Sequence, residues 1–289
     1  MYHADLIPLS AGLYLVATPI GTAKDITLRA LDILNSADVI AAEDTRTARK
    51  LMDIHGIATR GRRMIAYHDH NGAKARPELM RLIADGKSVA YVSEAGTPLI
   101  ADPGFDLVRE LRSENLPVIA APGPSAVITA LSIAGLPTDT FTFAGFAPNT
   151  GAARKKFLKK FAEAQGTLIF YESPKRLFNL LRDMLDIYGP DRRAAICREL
   201  TKKFEETISG SLQELHDTLA ERTLKGEIVV LVDRPHGHAT GADPSAELRL
   251  ALATMKTREA AAHVAEKLSM PRRMLYQMAL EIAQEDTDG

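Results

Sequence analysis

The sequence predicts an α/β fold, two α/β domains followed by a small helical one, and three observations carry that prediction. Short apolar runs alternate with amphipathic segments of helical length as far as Ile133, the pattern of a mainly parallel sheet with helices on its faces. The segment Ala134-Gly135-Leu136-Pro137-Thr138 interrupts that rhythm, and the strand and helix runs that follow suggest a second sheet, partly antiparallel. Beyond Ala246 the chain reads as helices only. The expected boundaries are 1–137 for the first domain, 138–235 for the second, 236–245 (containing HGHATGADP) for a linker and 246–289 for the tail.

In order, Leu13–Ala17 reads as a strand, Ile26–Asn35 as a helix and Val39–Ala42 as a strand. Thr45–His55 follows as a helix, with Asp44 placed to cap it and Gly56 to stop it. Met64–Tyr67 is a strand, Pro77–Ala84 a helix, and Ser88–Val92 an apolar strand. Phe105–Arg112 is helical, Pro117–Ala121 a strand and Ser125–Ile133 a helix. In the second domain, Thr140–Ala144, Thr167–Tyr171, Arg193–Arg198, Glu205–Ser209 and Glu227–Val232 read as strands. Ala152–Glu163, Pro174–Tyr188 and Leu212–Arg222 are the helices between them. In the tail, Thr257 is placed to cap a helix through Lys267, Ser269-Met270-Pro271 to turn the chain, and Arg272 to about Ala283 to form a second helix.

Composition narrows the class. A chain of 289 residues is long enough for two domains, and 46% hydrophobic with 25% charged residues is ordinary for a globular protein. A formal net charge of -1 does not advertise a nucleic-acid binder, although a local basic patch is compatible with it. Cys197 is the only cysteine, so an internal disulfide is excluded and a cysteine-based metal site disfavoured. The start MYHADLIPLS does not read as a signal peptide, and no window approaches 18 consecutive apolar residues. A cytoplasmic enzyme is the expectation. The phosphate-loop, dinucleotide, H-E-x-x-H and G-x-S-x-G signatures do not occur, which lowers nucleotide hydrolysis, hydride transfer and zinc proteolysis.

What remains is a set of loops, each after an expected strand: Thr18–Thr22, Glu43–Arg46, His68–Asn71, Ser93–Phe105, Ala121–Ala126 and Tyr171–Pro174. Loops at the carboxyl ends of parallel strands meet along one edge, where open α/β sheets place their ligands. Ser93–Phe105 (SEAGTPLIADPGF) stands out, with two glycines, two prolines and two acids between a strand and a helix. Read singly, each loop is equally a tight connection, with Pro19 and Gly21 in a turn and Ser125 or Asp44 as a helix cap.

Taken together, TPIGT, AAEDTRT, HDHN, SEAGTPLIADPGF, APGPSA, GLPTDTF, FYESPKRL and RELTK resemble, in order and spacing, the bacterial 16S ribosomal RNA cytidine 2′-O-methyltransferases of the tetrapyrrole-methylase-like superfamily. The resemblance covers roughly residues 12 to 235 and extends more weakly into the tail. It implies the class III S-adenosylmethionine methyltransferase fold, with the cofactor S-adenosyl-L-methionine in a cleft between the two α/β domains. It also implies a homodimer, no metal, and methyl transfer to the ribose 2′-oxygen of a cytidine in the decoding region of the small ribosomal subunit. The TPIGT loop favours the RNA branch over the tetrapyrrole enzymes, which have a G-P-G-x-G-D-like element there. Members often have Asn where this chain has Thr22, and Asp where it has Glu94.

By that resemblance the cofactor lies against Pro19, Ile20 and Gly21, then Glu94, Ala95, Gly96, Thr97, Pro98, Leu99 and Ile100, then Ser125 and Ala126. Tyr171, Gly226 and Glu227 join from the second domain. In-line methyl transfer asks the protein mainly for positioning and exclusion of water. A ribose hydroxyl needs its proton taken as the new bond forms, and a His or carboxylate within reach does this. Glu43, Arg46 and His68 are the residues placed near the acceptor, with the base among them left open; Asp44 is a rival carboxylate and equally an N-cap. Arg154–Lys160, Lys175-Arg176 and the tail, with five Lys/Arg against two Glu between Lys256 and Arg273, are the candidate RNA contacts. The rival expectations are a methyltransferase acting on a small molecule such as a tetrapyrrole, and a non-catalytic cofactor- or RNA-binding scaffold.

Overall fold

The computed structural model describes residues 4–235, 244–268 and 270–285. Most of the expected linker, Ser269 of the expected tail turn and the last four residues lie outside the described residues.

The first half folds as β1 (Gly12–Val16), α1 (Leu28–Ser36), β2 (Val39–Ala42), α2 (Thr45–Ile54), β3 (Arg63–Ala66), α3 (Gly72–Ala84), β4 (Ser88–Val92), α4 (Phe105–Ser113), β5 (Val118–Ala121) and α5 (Ala126–Ile133). The five strands form a wholly parallel sheet in the order β3-β2-β4-β1-β5. All five β4 residues are buried, because helices cover both faces, so the strand reads as an apolar run and not an alternation. Its side chains still divide by the period of two. Ala90 and Val92 join Val16, Ile40 and Leu34 on one face, while Val89 and Tyr91 join Leu13, Leu107 and Leu111 on the other.

The second half continues with β6 (Phe141–Phe146), α6 (Gly151–Lys159), β7 (Thr167–Glu172), α7 (Pro174–Tyr188), β8 (Arg193–Arg198), β9 (Glu206–Ser211), α8 (Leu212–Leu219) and β10 (Ile228–Val232). Its sheet has the order β6-β7-β10-β8-β9, with only the β6–β7 pair parallel. One face packs Phe170, Val230 and Val232 under α7 and α8. The other packs Ile169, Cys197, Val229 and Leu231 against Val127, Ala130 and Leu131 of α5. Helix α5 therefore follows the first sheet in sequence but seals the second. Each fully buried Val or Leu there contributes roughly 1.5–3 kcal/mol relative to exposure, so this face joins the two halves.

Several elements depart from expectation. Helix α3 begins at Gly72, five residues before Pro77, which sits inside it. The His68 carbonyl accepts from Gly72 N–H at 2.8 Å and the Asn71 carbonyl from Ala75 N–H at 3.0 Å, so the first turn forms upstream of the proline. The tail has three helices, not two: α9 (Pro244–Leu252), α10 (Thr257–Leu268) and α11 (Arg272–Glu285). Thr257 is the first helical residue there and not the cap. Leu248, Ala260, Val264, Leu275 and Ile282 give the three a core of their own. Among the described residues, no helix is long and apolar enough to cross a membrane.

The expected basic strip on α6 is also interrupted. Arg154 is buried, and its Nε donates to Asp183 Oδ2 at 2.7 Å. Lys155 reaches Asp186 at 2.5 Å. A cation next to an acid on the neighbouring helix is drawn into the structure, leaving Lys156, Lys159 and Lys160 exposed.

Candidate active site

A cavity of about 410 Å³ lies between the two sheets. The first sheet contributes loops beyond its carboxyl edge, as parallel topology requires. The second contributes strand ends. Because β10 runs antiparallel to both β7 and β8, the end of β7 (Glu172), the start of β10 (Ile228) and the end of β8 (Arg198) are register partners at one edge.

The loop Ser93–Phe105 is the floor of the cavity, and it is stitched down. Thr18 and Gly96 exchange both backbone bonds, at 2.9 and 3.0 Å. Thr97 Oγ1 donates to the Pro124 carbonyl at 2.9 Å. Tyr91, fully buried beneath, donates its hydroxyl to the Pro103 carbonyl at 2.7 Å. Gly96 has φ +78, and a Cβ there would press on Ile20 Cγ2 at 3.3 Å. Leu99 and Ala101 also hold positive φ, 73 and 64, which L side chains adopt only under constraint.

The sequence-derived residues divide by this geometry. Ile20, Glu94, Ala95, Gly96, Thr97 and Ile100 line the cavity from the first half. Ser125 and Ala126 do so at the start of α5, and Tyr171, Gly226 and Glu227 from the second sheet. Pro98 and Leu99 lie in the same loop but turn inward, Leu99 packing on the first sheet's core. Pro19 and Gly21 line an adjoining recess of about 160 Å³ that shares Glu94 with the main cavity. Of the residues expected near the acceptor, Glu43 lines the cavity and its Oε2 accepts from Glu94 N–H at 3.3 Å. His68 lies in the turn after β3, which ends at Ala66, with its Nδ1 buried and unpartnered among the described residues. Arg46 is 89% exposed and forks onto Asp44, whose Oδ1 also accepts Arg46 N–H as the N-cap of α2. That pairing with Arg46 holds the Asp44 carboxyl down at about 2.

Gly21 also packs closely against the second half of the chain. A Cβ on it would meet Lys202 Cγ and Thr201 Oγ1 at 2.6 Å and the Leu200 carbonyl at 2.9 Å. The TPIGT loop thus docks directly on the RELTK loop of the second half. Thr22 N–H donates to Thr201 Oγ1 at 3.0 Å, and Thr22 Oγ1 donates to the Thr201 carbonyl. Opposite, Glu199 Oε1 accepts from Glu227 N–H at 3.0 Å and Lys202 Nζ at 2.9 Å, and Lys202 also reaches Glu227 Oε2 at 3.0 Å. Gly226, at φ +93, leaves room for the Glu199 carboxyl.

Sequence reasoning singled out neither Asp102 nor Glu172, and both line the cavity. Burial raises the Asp102 carboxyl to about 6, against the pull of the Ser93 hydroxyl and with the push of Glu43, Glu94 and Asp69. Burial also raises Glu43 and Glu172. The Glu172 side chain is fully enclosed, Oε1 accepting from Ser173 N–H at 2.8 Å and pairing with Arg176 Nε at 3.1 Å. Across the cavity stands Tyr171, whose hydroxyl burial raises to about 12, and Ser125 makes no side-chain cap bond at the start of α5. The available signal for Asp102 was its place as the second acid of the outstanding loop.

A parallel sheet and a mixed sheet enclosing an acid-lined cleft define a class. The family described as Tetrapyrrole (Corrin/Porphyrin) Methylases matches residues 12–216, and the RsmI C-terminal HTH domain matches residues 238–283. The solved methyltransferase CobJ superposes with a TM-score of 0.60 at 19% identity, over 78% of this chain and 95% of its own. A uroporphyrin-III C-methyltransferase from Thermus thermophilus, solved with S-adenosyl homocysteine, superposes at 0.53 and 18% identity, over 76% and 96%. These likenesses show the fold: the chain is a tetrapyrrole-methylase-class protein.

Sequence identity goes further. The ribosomal RNA small subunit methyltransferase I of Mesorhizobium japonicum is 46% identical over 284 residues, 98% of this chain and 95% of the relative. The chain belongs to the ribosomal RNA small subunit methyltransferase I family.

Proposed function

We propose that the protein transfers the methyl group of S-adenosyl-L-methionine to the ribose 2′-oxygen of a cytidine in 16S ribosomal RNA. The observation that carries this reading is the cavity itself, in a chain of that family. Its volume falls within the range of small-molecule sites, about 300–1,000 Å³. Glu43, Glu94, Asp102 and Glu227 give it an acidic lining, suited to a ligand with a sulfonium and an ammonium group. Bound there, the donor supplies an electrophilic methyl carbon. The chain's own residues hold it between the stitched loop floor and Tyr171, and exclude water.

On this reading Glu43 faces the acceptor ribose, His68 stands behind it and exposed Arg46 meets an RNA phosphate. Lys156, Lys159, Lys160 and Lys175 extend the contact to RNA backbone. In the tail, exposed Arg258, Arg272 and Arg273 do the same, whereas Lys267 is tied to Glu247 at 2.6 Å. The working form is a homodimer in the cytoplasm, and exposed Ile128 and Ile133 on α5 with Phe141 on edge strand β6 offer apolar surface for it.

The test is methyl incorporation from labelled donor into small-subunit particles, naked rRNA and precorrin-like tetrapyrroles, with mass mapping of the modified nucleotide. A 2′-O-methylcytidine that disappears from rRNA of cells lacking the protein supports the reading. Incorporation into the tetrapyrrole alone, or donor binding without any transfer, overturns it.

A further inference from the structure

We propose that Asp102 is the group that takes the proton from the acceptor hydroxyl, on a turn built to hold its carboxylate in the cavity wall. The inference rests on the reading of the site as a hydroxyl methyltransferase and assigns a role that the sequence left open among Glu43, His68 and Asp44, the last of which caps α2 and pairs with Arg46.

Placement comes first. Asp102 lines the cavity. His68 is not among the residues lining it, and its Nδ1 is buried. Glu43 does line it, but its Oε2 already accepts Glu94 N–H at 3.3 Å. Preorganisation comes second. The turn carrying Asp102 holds Leu99 and Ala101 at positive φ and continues into Gly104 at φ +127. A Cβ on Gly104 would meet Leu99 Cδ1 and Tyr91 Cε1, both at 3.0 Å, so the loop is seated directly on the buried Tyr91 ring. The Tyr91 hydroxyl bond to the Pro103 carbonyl pins the residue next to Asp102. Backbone strain kept by such anchoring is characteristic of functional turns. Surroundings come third. The groups facing Asp102 are Glu43 beyond β2, Asp69 beyond β3, Glu94 and Ser93 of its own loop, and Tyr171 across the cleft on β7. Burial, and after it the acids, raise its proton affinity to about 6, so at neutral pH it is ionised yet a better base than a solvated carboxylate.

The step balances. The ribose oxygen forms a bond to the methyl carbon, the carbon–sulfur bond breaks with its electron pair passing to sulfur, and the hydroxyl proton moves to the Asp102 carboxylate. Release of that proton to solvent resets the enzyme.

Asp102→Asn keeps the shape and removes the base, and three readouts of the full chain separate the outcomes. Calorimetric binding of S-adenosyl-L-methionine stays within about 3-fold, while kcat falls about 100-fold, the lower range for removing a general base. In the wild type without ligand, carboxylate titration followed by NMR shows one group near 6 that is absent from the variant. The acid limb of the wild-type kcat/KM profile is absent from the variant's residual activity. Loss of donor affinity in proportion to the loss of rate would make Asp102 a donor-binding residue and overturn the proposal, as would an unchanged rate or acid limb. If wild-type protein methylates no RNA in the same assay, the functional reading fails, while the titration and binding arms still report on Asp102.

Discussion

The two sheets meet the same cavity in opposite ways. The parallel sheet sends out loops, and residues such as Glu43, Glu94 and Asp102 stand on connections that follow β2 and β4. The mixed sheet offers strand termini, with Glu172 closing β7 and Gly226-Glu227 leading into β10. The first is chemistry on turns pinned from beneath; the second is a rigid wall whose position depends on a register. This teaches that the loops decide what the site does, while the wall and the two interlocked loops TPIGT and RELTK decide whether the site exists.

The largest expected effect lies in the wall's support. Asp183→Ala leaves the Arg154 guanidinium buried without its main partner and destabilises the protein by about 3–5 kcal/mol, read as a lowered denaturant midpoint. A loss below about 1 kcal/mol would mean the pair is dispensable and the comparison wrong. Next, Gly226→Ala drives a methyl group into the Glu199 carboxyl at a backbone conformation alanine resists. The expected cost is about 2 kcal/mol together with at least tenfold weaker donor binding. Gly21→Ala at the interlocked loops, whose Cβ would meet the Leu200 carbonyl at 2.9 Å, gives a similar result. Normal binding in both variants would show that the second half tolerates displacement.

The third test concerns pH. Because burial raises Asp102 to about 6 from an ordinary 3.8, the folded state binds the proton more tightly than the unfolded chain. Its contribution to stability therefore declines as pH rises between about 4 and 6, and its burial penalty persists above. Asp102→Asn is expected to melt higher than wild type at pH 7.5, with the difference shrinking toward pH 4. A difference independent of pH would place the effect in packing and not in charge. Removing the tail after Asp243 leaves the two sheets and their four cores intact, so donor binding survives while rRNA methylation falls. Equal rates would dissociate the tail from RNA. The smallest effect is Arg46→Ala. Its exposed pairing with Asp44 is worth about 0–1 kcal/mol, and melting stays unchanged while the salt slope of RNA binding falls by about 1.

Legibility followed the same division. The order of strands and helices was readable because apolar runs, caps and prolines act locally, as at Asp44, whose carboxylate caps α2, and at Pro174, which opens α7. That the loops after β1, β2, β4 and β5 meet was also readable, since a parallel sheet puts every carboxyl end on one edge. Pro77 misled because a proline near a helix start reads as its first residue, whereas His68 and Asn71 supply the first turn upstream. Arg154 misled because a charge run gives no hint that Asp183, 29 residues on, withdraws one member into the core.

By itself, the sequence determined two α/β units, a helical tail, the family and the loops that border the cleft. Those properties rest on local propensity and ordered motifs. Only the tertiary structure decided which side chains in those loops face inward. Leu99 and Ala101 take positive φ without being glycine, so no local rule predicts that Leu99 turns to the core while Asp102 meets the cavity. Nor does any local rule show that Gly21 serves close approach between two loops separated by about 180 residues. Both outcomes depend on what presses against the chain from elsewhere: the Tyr91 ring beneath one loop and the Leu200–Lys202 backbone against the other.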